Sequence, residues 1–331
     1  MKSKKIALVT GGAGFIGSHM VDLLSKKNFE VRIIDNLIGG HLNNLNHHNN
    51  NKNIKFEKLD INKISKNNKI FKNLDYIFHF AGIGDIVPSV ENPLKYLETN
   101  TMGTLNVLEG ARYNYTKKFL YAASSSCYGI AKTPTSENNI INPQYPYALS
   151  KYIGEQYAFH WNKIYNLKTI SIRIFNAYGT RVRTTGAYGA VFGVFLKQKL
   201  SGKPYTIVGD GNQSRDFIYV TDICEAFYKA AKSKYKCEIF NVGEGKAKKI
   251  NHLVRLIGDN KIVYLPERPG EPKITLANIN KIKNYLNWSP KIKFENGVSR
   301  MLANINDWKN APLWDKNSID KATKTWFKYL K

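Results

Sequence analysis

Tyr147 and Lys151 stand four residues apart in "YPYALSK". On a helix that spacing puts both on one face, with Cβ atoms about 5–6 Å apart. An ammonium group so close favours the phenolate, lowering the phenol from its reference pKa near ~10 toward the range of a usable general base. Spacing alone does not single the pair out. Tyr113/Lys117, Tyr128/Lys132 and Tyr228/Lys232 repeat it, and each of these, taken singly, reads as a surface helix or loop pair. What sets Tyr147 apart is the upstream segment "AASSSCYG", which places Ser124 at the end of a strand-like run. A hydroxyl there can hold a substrate oxygen while the phenolate takes its proton. Pro146 falls where the first turn of a helix carrying Tyr147 would begin.

A second group of residues lies near the start, in "TGGAGFIGSH". Gly12, Gly14 and Gly17 satisfy G-x-G-x-x-G, and Gly11, Gly14 and Gly17 satisfy G-x-x-G-x-x-G. Either match alone is weak. The context is the expected one, with the apolar run "KIALV" before it, a helical pattern after it, and Asp35 at the end of the next strand-like run. Glycines there permit a tight turn and let backbone N–H groups approach a pyrophosphate at the positive end of a helix. Asp35 would accept hydrogen bonds from a ribose 2′-hydroxyl and repel a 2′-phosphate, which selects NAD over NADP. The plain alternative is an Asp that caps a strand-to-loop turn.

The elements that must position these groups alternate. "KIALVT", "EVRIID", "IKFEKLDI", "LDYIFHFAG", "KFLYAASS" and "KTISIRIFN" read as strands, and segments such as "PLKYLETNTMGTLNVLEGAR" and "PYALSKYIGEQYAFHWNKIYN" carry apolar residues at helical spacing. Such alternation implies α/β architecture, a doubly wound parallel sheet with helices on both faces. After about residue 178 the regularity decays into Gly- and Pro-punctuated stretches such as "GKPYTIVGDGNQ" and "PERPGEP". Residues 1–178 are therefore expected to form a Rossmann domain, with 179–331 mainly a smaller substrate-binding lobe over the strand ends. Residues 217–243 are expected to return to the first domain. No internal repeat is visible.

Bulk composition narrows the functional class. A chain of 331 residues with 43% hydrophobic content supplies a sizeable core. No run approaches the roughly 20 apolar residues of a membrane span, and none reads as a signal peptide, so a cytoplasmic location is expected. The net charge of +25 would suit a nucleic-acid binder if clustered, but the lysines are dispersed and Asn is abundant. Compositional bias is the simpler account, and a positive field still attracts a dianionic small substrate. Cys127, Cys224 and Cys237 form no metal or disulfide spacing, and His47 with His48 lies in "NNLNHHNNNKN", which reads as a surface loop. No metal site is expected.

With these residues in place, the chain resembles the extended short-chain dehydrogenase/reductase family, and within it nucleotide-sugar 4-epimerases of the UDP-galactose 4-epimerase type. The matching segments run in order over nearly the whole chain: "TGGAGFIGSH", "IIDN", "LDI", "FHFAG", "NTMGTLNVLE", "SSSCYG", "YALSK", "RIFNAYG", "VGDGNQSRDFIYVTD", "FNVG" and "RPGEP". The resemblance implies Ser124, Tyr147 and Lys151 as the catalytic set, with Lys151 also reaching the nicotinamide ribose. It implies NAD contacts from Gly11, Gly14, Phe15, Ile16 and Gly17, from Asp35 and Asn36, from Asp60 and Ile61 at the adenine, and from Ala81, Gly82 and Asn100. Ser125, Ser126, Asn176, Val191, Arg215, Arg268 and Glu271 resemble substrate-binding residues, with Asn176, Arg215, Arg268 and Glu271 resembling the groups that hold a diphosphate and a nucleoside ribose. An amide at Asn176 can instead fasten a turn, and Asp222 in "YVTD" reads as a cap or brace.

Related dehydratases and decarboxylases carry an acid two positions after the Ser or Thr; this chain has Ser126 there, which disfavours both. A C4 dehydrogenase that releases its keto product, or a non-catalytic NAD-binding sensor, remains an alternative. By the same resemblance the Tyr147 helix and the helix in "NTMGTLNVLEGAR" pair with their copies in a homodimer. Thr275 in "RPGEPKITLAN" falls where a bulky tyrosine closes the pocket in glucose/galactose-specific members, so room for an N-acetylated hexose is expected.

Overall fold

The computed structural model describes residues 4–184 and 191–330. The first strand-like runs form β1 (Ile6–Thr10), β2 (Glu30–Asp35), β3 (Ile54–Lys58), β4 (Tyr76–His79), β5 (Lys118–Ser124) and β6 (Thr169–Ile174). With β10 (Cys237–Val242) they make one seven-stranded sheet in the order β10-β6-β5-β4-β1-β2-β3, parallel throughout. All seven residues of β5 are buried, as a central parallel strand covered on both faces requires. The order reverses between β1 and β4. That switch point opens a crevice at the carboxyl ends of the strands, where Thr10, His79 and Ser124 sit.

Helices cover both faces. On one side α1 (Phe15–Lys26) packs with α7 (Val220–Lys232) around Val21, Leu24, Phe227 and Ala230. On the other, α4 (Gly103–Tyr113) and α5 (Pro146–Tyr165) bury Val107, Leu108 and Ala158 against β5. The chain reaches α4 through α2 (Ile86–Glu91), α3 (Pro93–Leu97) and a π-helical turn at Glu98–Met102. Helix α5 is pinned to β6 by a buried ion pair, Arg173 Nη2 to Glu155 Oε1 at 2.5 Å, with the Ser171 hydroxyl donating to Glu155 Oε2 at 2.6 Å. Losing one partner of such a pair costs about 3–5 kcal/mol, because the other charge stays buried.

The remaining chain builds a smaller layer over the strand ends. β7 (Asn176–Tyr178), β9 (Ser214–Tyr219) and β11 (Ala247–Lys249) form a three-stranded sheet, and β8 (Tyr205–Val208) pairs in parallel with β12 (Ile262–Leu265). Around them lie α6 (Val191–Leu200), α8 (Ile250–Ile257), α10 (Phe294–Ala303) and α11 (Lys316–Tyr329), whereas α9 (Asn280–Leu286) packs back on α7 and β10. The core of this layer includes Phe195, Phe217, Phe294, Trp308 and Trp326. Thus β9 belongs to the small sheet, whereas α7 packs on the large sheet and β10 completes its edge.

Two buried aspartates tie the layers together. Asp216 accepts backbone N–H bonds from Glu244 at 2.6 Å, Gly245 at 3.1 Å and Ala277 at 2.9 Å. Asp222 accepts from the N–H groups of Lys291 and Ile292 at 2.9 and 2.8 Å, the bracing role its sequence context suggests. Among the described residues no helix is long and apolar enough to cross a membrane.

Candidate active site

The crevice begins at the glycine turn. Gly11 has φ +66°, and a Cβ there would come within 2.7 Å of the Ala81 backbone nitrogen. A Cβ on Gly17 would collide with the Gly11 carbonyl. Sterics therefore require glycine at Gly11 and Gly17, and Gly12 is pressed on Ile33, so residues of both overlapping frames are constrained. Gly14 differs: its Cβ would meet only the Gly11 oxygen at 3.1 Å, and it caps α1 without a side-chain bond. The first-turn N–H groups at Phe15, Ile16 and Gly17, which no helix satisfies internally, are left for an anion. That is the donor set a dinucleotide pyrophosphate needs.

Asp35 stands at the end of β2, 7% exposed, its oxygens accepting from Ala13 N–H at 3.1 Å and Leu37 N–H at 2.8 Å. Burial raises its pKa, and those two backbone donors oppose the rise. The turn-capping role leaves this carboxylate with lone pairs to spare, so it does not exclude a ribose acceptor. Asn36 donates to Asp60 Oδ2 at 3.3 Å, which brings the two expected adenosine-end residues together. Ile61 turns its side chain into the core against Gly103 and gives its carbonyl to Asn106, so it can offer an adenine only its backbone N–H.

At the end of β4 the Thr10 hydroxyl bonds His79 Nδ1 at 2.7 Å, and His79 Nε2 bonds the Thr104 hydroxyl at 2.9 Å. Burial, with Lys151 nearby, pulls His79 down to about 3, so the ring is neutral. Thr10 also receives the Ala81 N–H at 3.2 Å, fixing the turn that carries Gly82. Asn100, in the π-helical turn, accepts from Ile83 N–H at 2.8 Å and donates to the Ile83 carbonyl and the Ser150 hydroxyl, both at 3.0 Å. Its amide is spent on this turn, so Asn100 serves the cofactor side by shaping Gly82 and Ile83.

The expected catalytic set converges. Ser124 Oγ accepts the Ser126 N–H at 3.1 Å, leaving its own proton to donate. Burial raises the Tyr147 phenol, while a hydrogen bond from Ser124 opposes the rise and the Asp85 carboxylate adds to it. Burial also brings Lys151 down to about 8, partly countered by Glu155 one turn on. The Lys151 ammonium lies 4.5 Å from the Tyr121 ring centroid and would be 3.7 Å from a Cβ on Gly82, so it reaches the cofactor side of the crevice. The other pairs stay apart. Tyr113 is exposed, Tyr228 packs on Phe29 and Lys27, and Tyr128 gives its hydroxyl to Asn241 at 2.7 Å.

At the far end, Glu271 joins two guanidinium groups, Arg268 at 2.9 Å and Arg215 at 3.4 Å. Asn176 donates to the Thr275 hydroxyl at 2.9 Å and the Asp216 carbonyl at 3.2 Å, and Thr275 also accepts the Asp216 N–H at 3.1 Å. The amide does fasten a turn, and only its oxygen stays available to a ligand. Ser125, Gly129, Phe175, Ile274 and Thr275 line a small pocket that opens to solvent. Val191 begins α6, directly after the residues outside the described range.

Four side chains that the sequence reading did not select also belong to this cleft. Tyr145 lies parallel to Tyr147 with centroids 6.4 Å apart and meets Trp326 of α11 at 5.7 Å; the Trp326 indole donates to the Pro269 carbonyl at 2.9 Å. Asp85 caps α2 positionally but pairs with Arg183 at 3.4 Å instead of bonding the helix. An aromatic two residues before Tyr147 and an acid three residues after Gly82 were the available signals. The distant partners had none.

A parallel sheet with a glycine turn at its switch point, an acidic residue after the second strand and a Ser-Tyr-Lys set at the crevice defines a dinucleotide-dependent enzyme of the Rossmann class. The model of the NAD dependent epimerase/dehydratase family matches residues 7–243, and the chain belongs to that family, with NAD as its cofactor. It is 38% identical over 303 residues to a putative UDP-glucose 4-epimerase of Methanocaldococcus jannaschii, covering 89% of this chain and 96% of that one. Among solved structures it is similar to a UDP-N-acetylglucosamine 4-epimerase from Methanobrevibacter ruminantium M1 in complex with UDP-N-acetylmuramic acid, at 36% identity and TM-score 0.85, covering 92% and 100% of the two chains. It is also similar to a UDP-glucuronic acid 4-epimerase from Bacillus cereus in complex with UDP-glucuronic acid and NAD, at 30% identity and TM-score 0.85, covering 91% and 99%.

Proposed function

We propose that this chain inverts C4 of a UDP-linked hexose through a transient 4-keto sugar. The observation that carries the reading is the meeting of Ser124, Tyr147 and Lys151 in one crevice whose Ser125 and Ser126 positions hold no acid. Tyr147, as phenolate, takes the O4 proton while Ser124 donates to the same oxygen, and Lys151 holds the phenolate and the ribose beside it. Bound in the crevice, NAD would supply the hydride acceptor and donor for C4. Reprotonation of O4 by Tyr147 after the keto sugar has presented its other face closes the cycle with no net redox change. Phe15, Ile16, Gly17 and Asp35 would hold the cofactor, and Arg215, Arg268 and the Asn176 oxygen the nucleotide end of the substrate.

Thr275 lines the small pocket beside Ser125, and a threonine there in place of a bulky tyrosine supports acceptance of an N-acetylated hexose. In this reading residues 1–178, with α7 and β10, serve the cofactor, and the rest serves mainly the substrate. Apolar side chains exposed on α4, α5 and the turns before them, among them Leu97, Met102, Tyr157 and Tyr165, suit a twofold four-helix interface with a second copy. Three unpaired thiols, one of them exposed, suit a reducing cytoplasm. Incubation with UDP- and GDP-linked hexoses, resolved by NMR, tests the reaction and the nucleotide together. C4 epimers without accumulated keto sugar are expected; a released 4-keto, 6-deoxy or decarboxylated product would overturn the reading.

A further inference from the structure

Away from the crevice, two adjacent histidines meet an aspartate that lies 25 residues before the first of them. His47 Nε2 and His48 Nε2 both reach Asp22 Oδ1, at 2.6 and 2.7 Å, and the three ligating atoms lie within 4.8 Å of one another. Adjacent residues in a 3₁₀ turn point about 120° apart. Here His47 and His48 end the turn Leu42–His48 with ring centroids only 4.1 Å apart, both nitrogens converging on one oxygen. Arg181 holds the other carboxylate oxygen at 2.9 Å and so fixes its orientation while leaving Oδ1 to the imidazoles.

We propose that Asp22, His47 and His48 form a binding site for a divalent ion of borderline softness, zinc or cobalt. Two imidazoles and one carboxylate are the ligand set such ions take, with the remaining positions filled by water. Metal–ligand distances of about 2.0–2.1 Å around a tetrahedral ion separate neighbouring ligand atoms by about 3.3 Å. The present separations must therefore open by about 0.6–0.7 Å, a movement the His47 ring, 46% exposed, can make. The Arg181 guanidinium and the positive chain oppose a cation, so the affinity is micromolar and not that of a closed structural site.

The position gives the ion a task. The same segment leans on the cofactor turn at its other end, where His41 N–H and the Asn44 amide both donate to the Ala13 carbonyl, at 3.0 and 2.9 Å, and Gly40 abuts the Asp35 carboxylate. An ion clipping this segment to α1 would stiffen the wall beside the adenosine ribose. Asp22, His47 and His48 lie outside the groups that touch cofactor or substrate, so the clip is dispensable for turnover itself.

The test uses NAD-loaded protein carrying Cys237→Ser, which removes the exposed thiol, dialysed against chelator and titrated with zinc chloride in a calorimeter. One saturable micromolar equivalent is expected, weakened about 100-fold in the His47→Asn/His48→Asn double variant. Cobalt should give a ligand-field spectrum in the first protein alone, and zinc should slow NAD release only there. Matching melting temperatures without metal show that the variant is folded. Equal zinc binding by both proteins, or no saturation by the first below millimolar zinc, would mean that the triad is a hydrogen-bonded clip only and overturn the proposal.

Discussion

At the proposed cofactor end of the crevice the candidate ligand-facing groups are backbone N–H groups of the α1 first turn, set by a turn in which Gly11 and Gly17 admit no Cβ, with Asp35 anchored by two backbone donors. At the sugar end they are long side chains already bonded to one another: Asn176 to Thr275, Arg215 and Arg268 to Glu271, Arg183 to Asp85. The first end cannot change without moving main chain. The second can exchange partners, because each pair loses little when one contact is replaced by an equivalent one from a ligand. One fold can thus keep its cofactor while its sugar preference drifts, and the related proteins, named for glucose, N-acetylglucosamine and glucuronic acid, fit that division.

The sharpest break in the comparison lies where the two ends meet. Tyr147→Phe should cut turnover by about 10²–10⁴, the usual worth of a general base, with the bound NAD content unchanged. Tyr128→Phe, which has the same Tyr-x-x-x-Lys spacing but a phenol committed to Asn241, should keep most of its activity. Steady-state rates and cofactor absorbance on the purified variants check both.

Asp35→Ala attacks the rigid end. Losing a charged acceptor for the ribose hydroxyls should weaken NAD by about 10–100-fold and raise relative NADP affinity, read by fluorescence titration of cofactor-stripped protein. A wild type that already prefers NADP would remove Asp35 from its role. Thr275→Tyr attacks the adaptable end. Overpacking by about 1–3 kcal/mol should depress kcat/KM for UDP-GlcNAc about tenfold or more while sparing UDP-Glc. Equal losses on both would show that Thr275 does not gate the cavity.

The smallest effect is expected from Asp85→Asn, in the pH profile. The Asp85 carboxylate raises the Tyr147 pKa, because a negative neighbour disfavours phenolate. Removing the charge lowers that pKa, so the acidic limb of kcat/KM should move to lower pH by less than about one unit. No shift, or a shift to higher pH, would show that the Asp85 charge does not act on the Tyr147 phenol.

Much of this was legible in the sequence, for identifiable reasons. The parallel strands are Val/Ile-rich because both faces are covered, and the glycine turn and the Tyr147–Lys151 spacing are local geometry, repeated wherever the chain takes that conformation. The need for glycine at Gly11 was not local: it depends on Ala81, brought against it by β4. The Asn176–Thr275 bond, the Trp326 wall behind Tyr145 and the convergence of His47 and His48 on Asp22 were equally out of reach.

By itself, then, the sequence carried the alternating architecture, the glycine turn and the Tyr147–Lys151 spacing, since each rests on residues within a few positions of one another, while Asp35 and Ser124 join them only through the ends of β2 and β5. The tertiary structure decided which polar groups remain available. Asn100 and Asn176 look alike in the chain as amides near a ligand, but packing spends the first wholly on Ile83 and Ser150 and leaves the second one free oxygen. The physical reason is that a buried donor or acceptor must find a partner, and which partner stands within 3 Å is set by elements that meet only when the whole chain has packed.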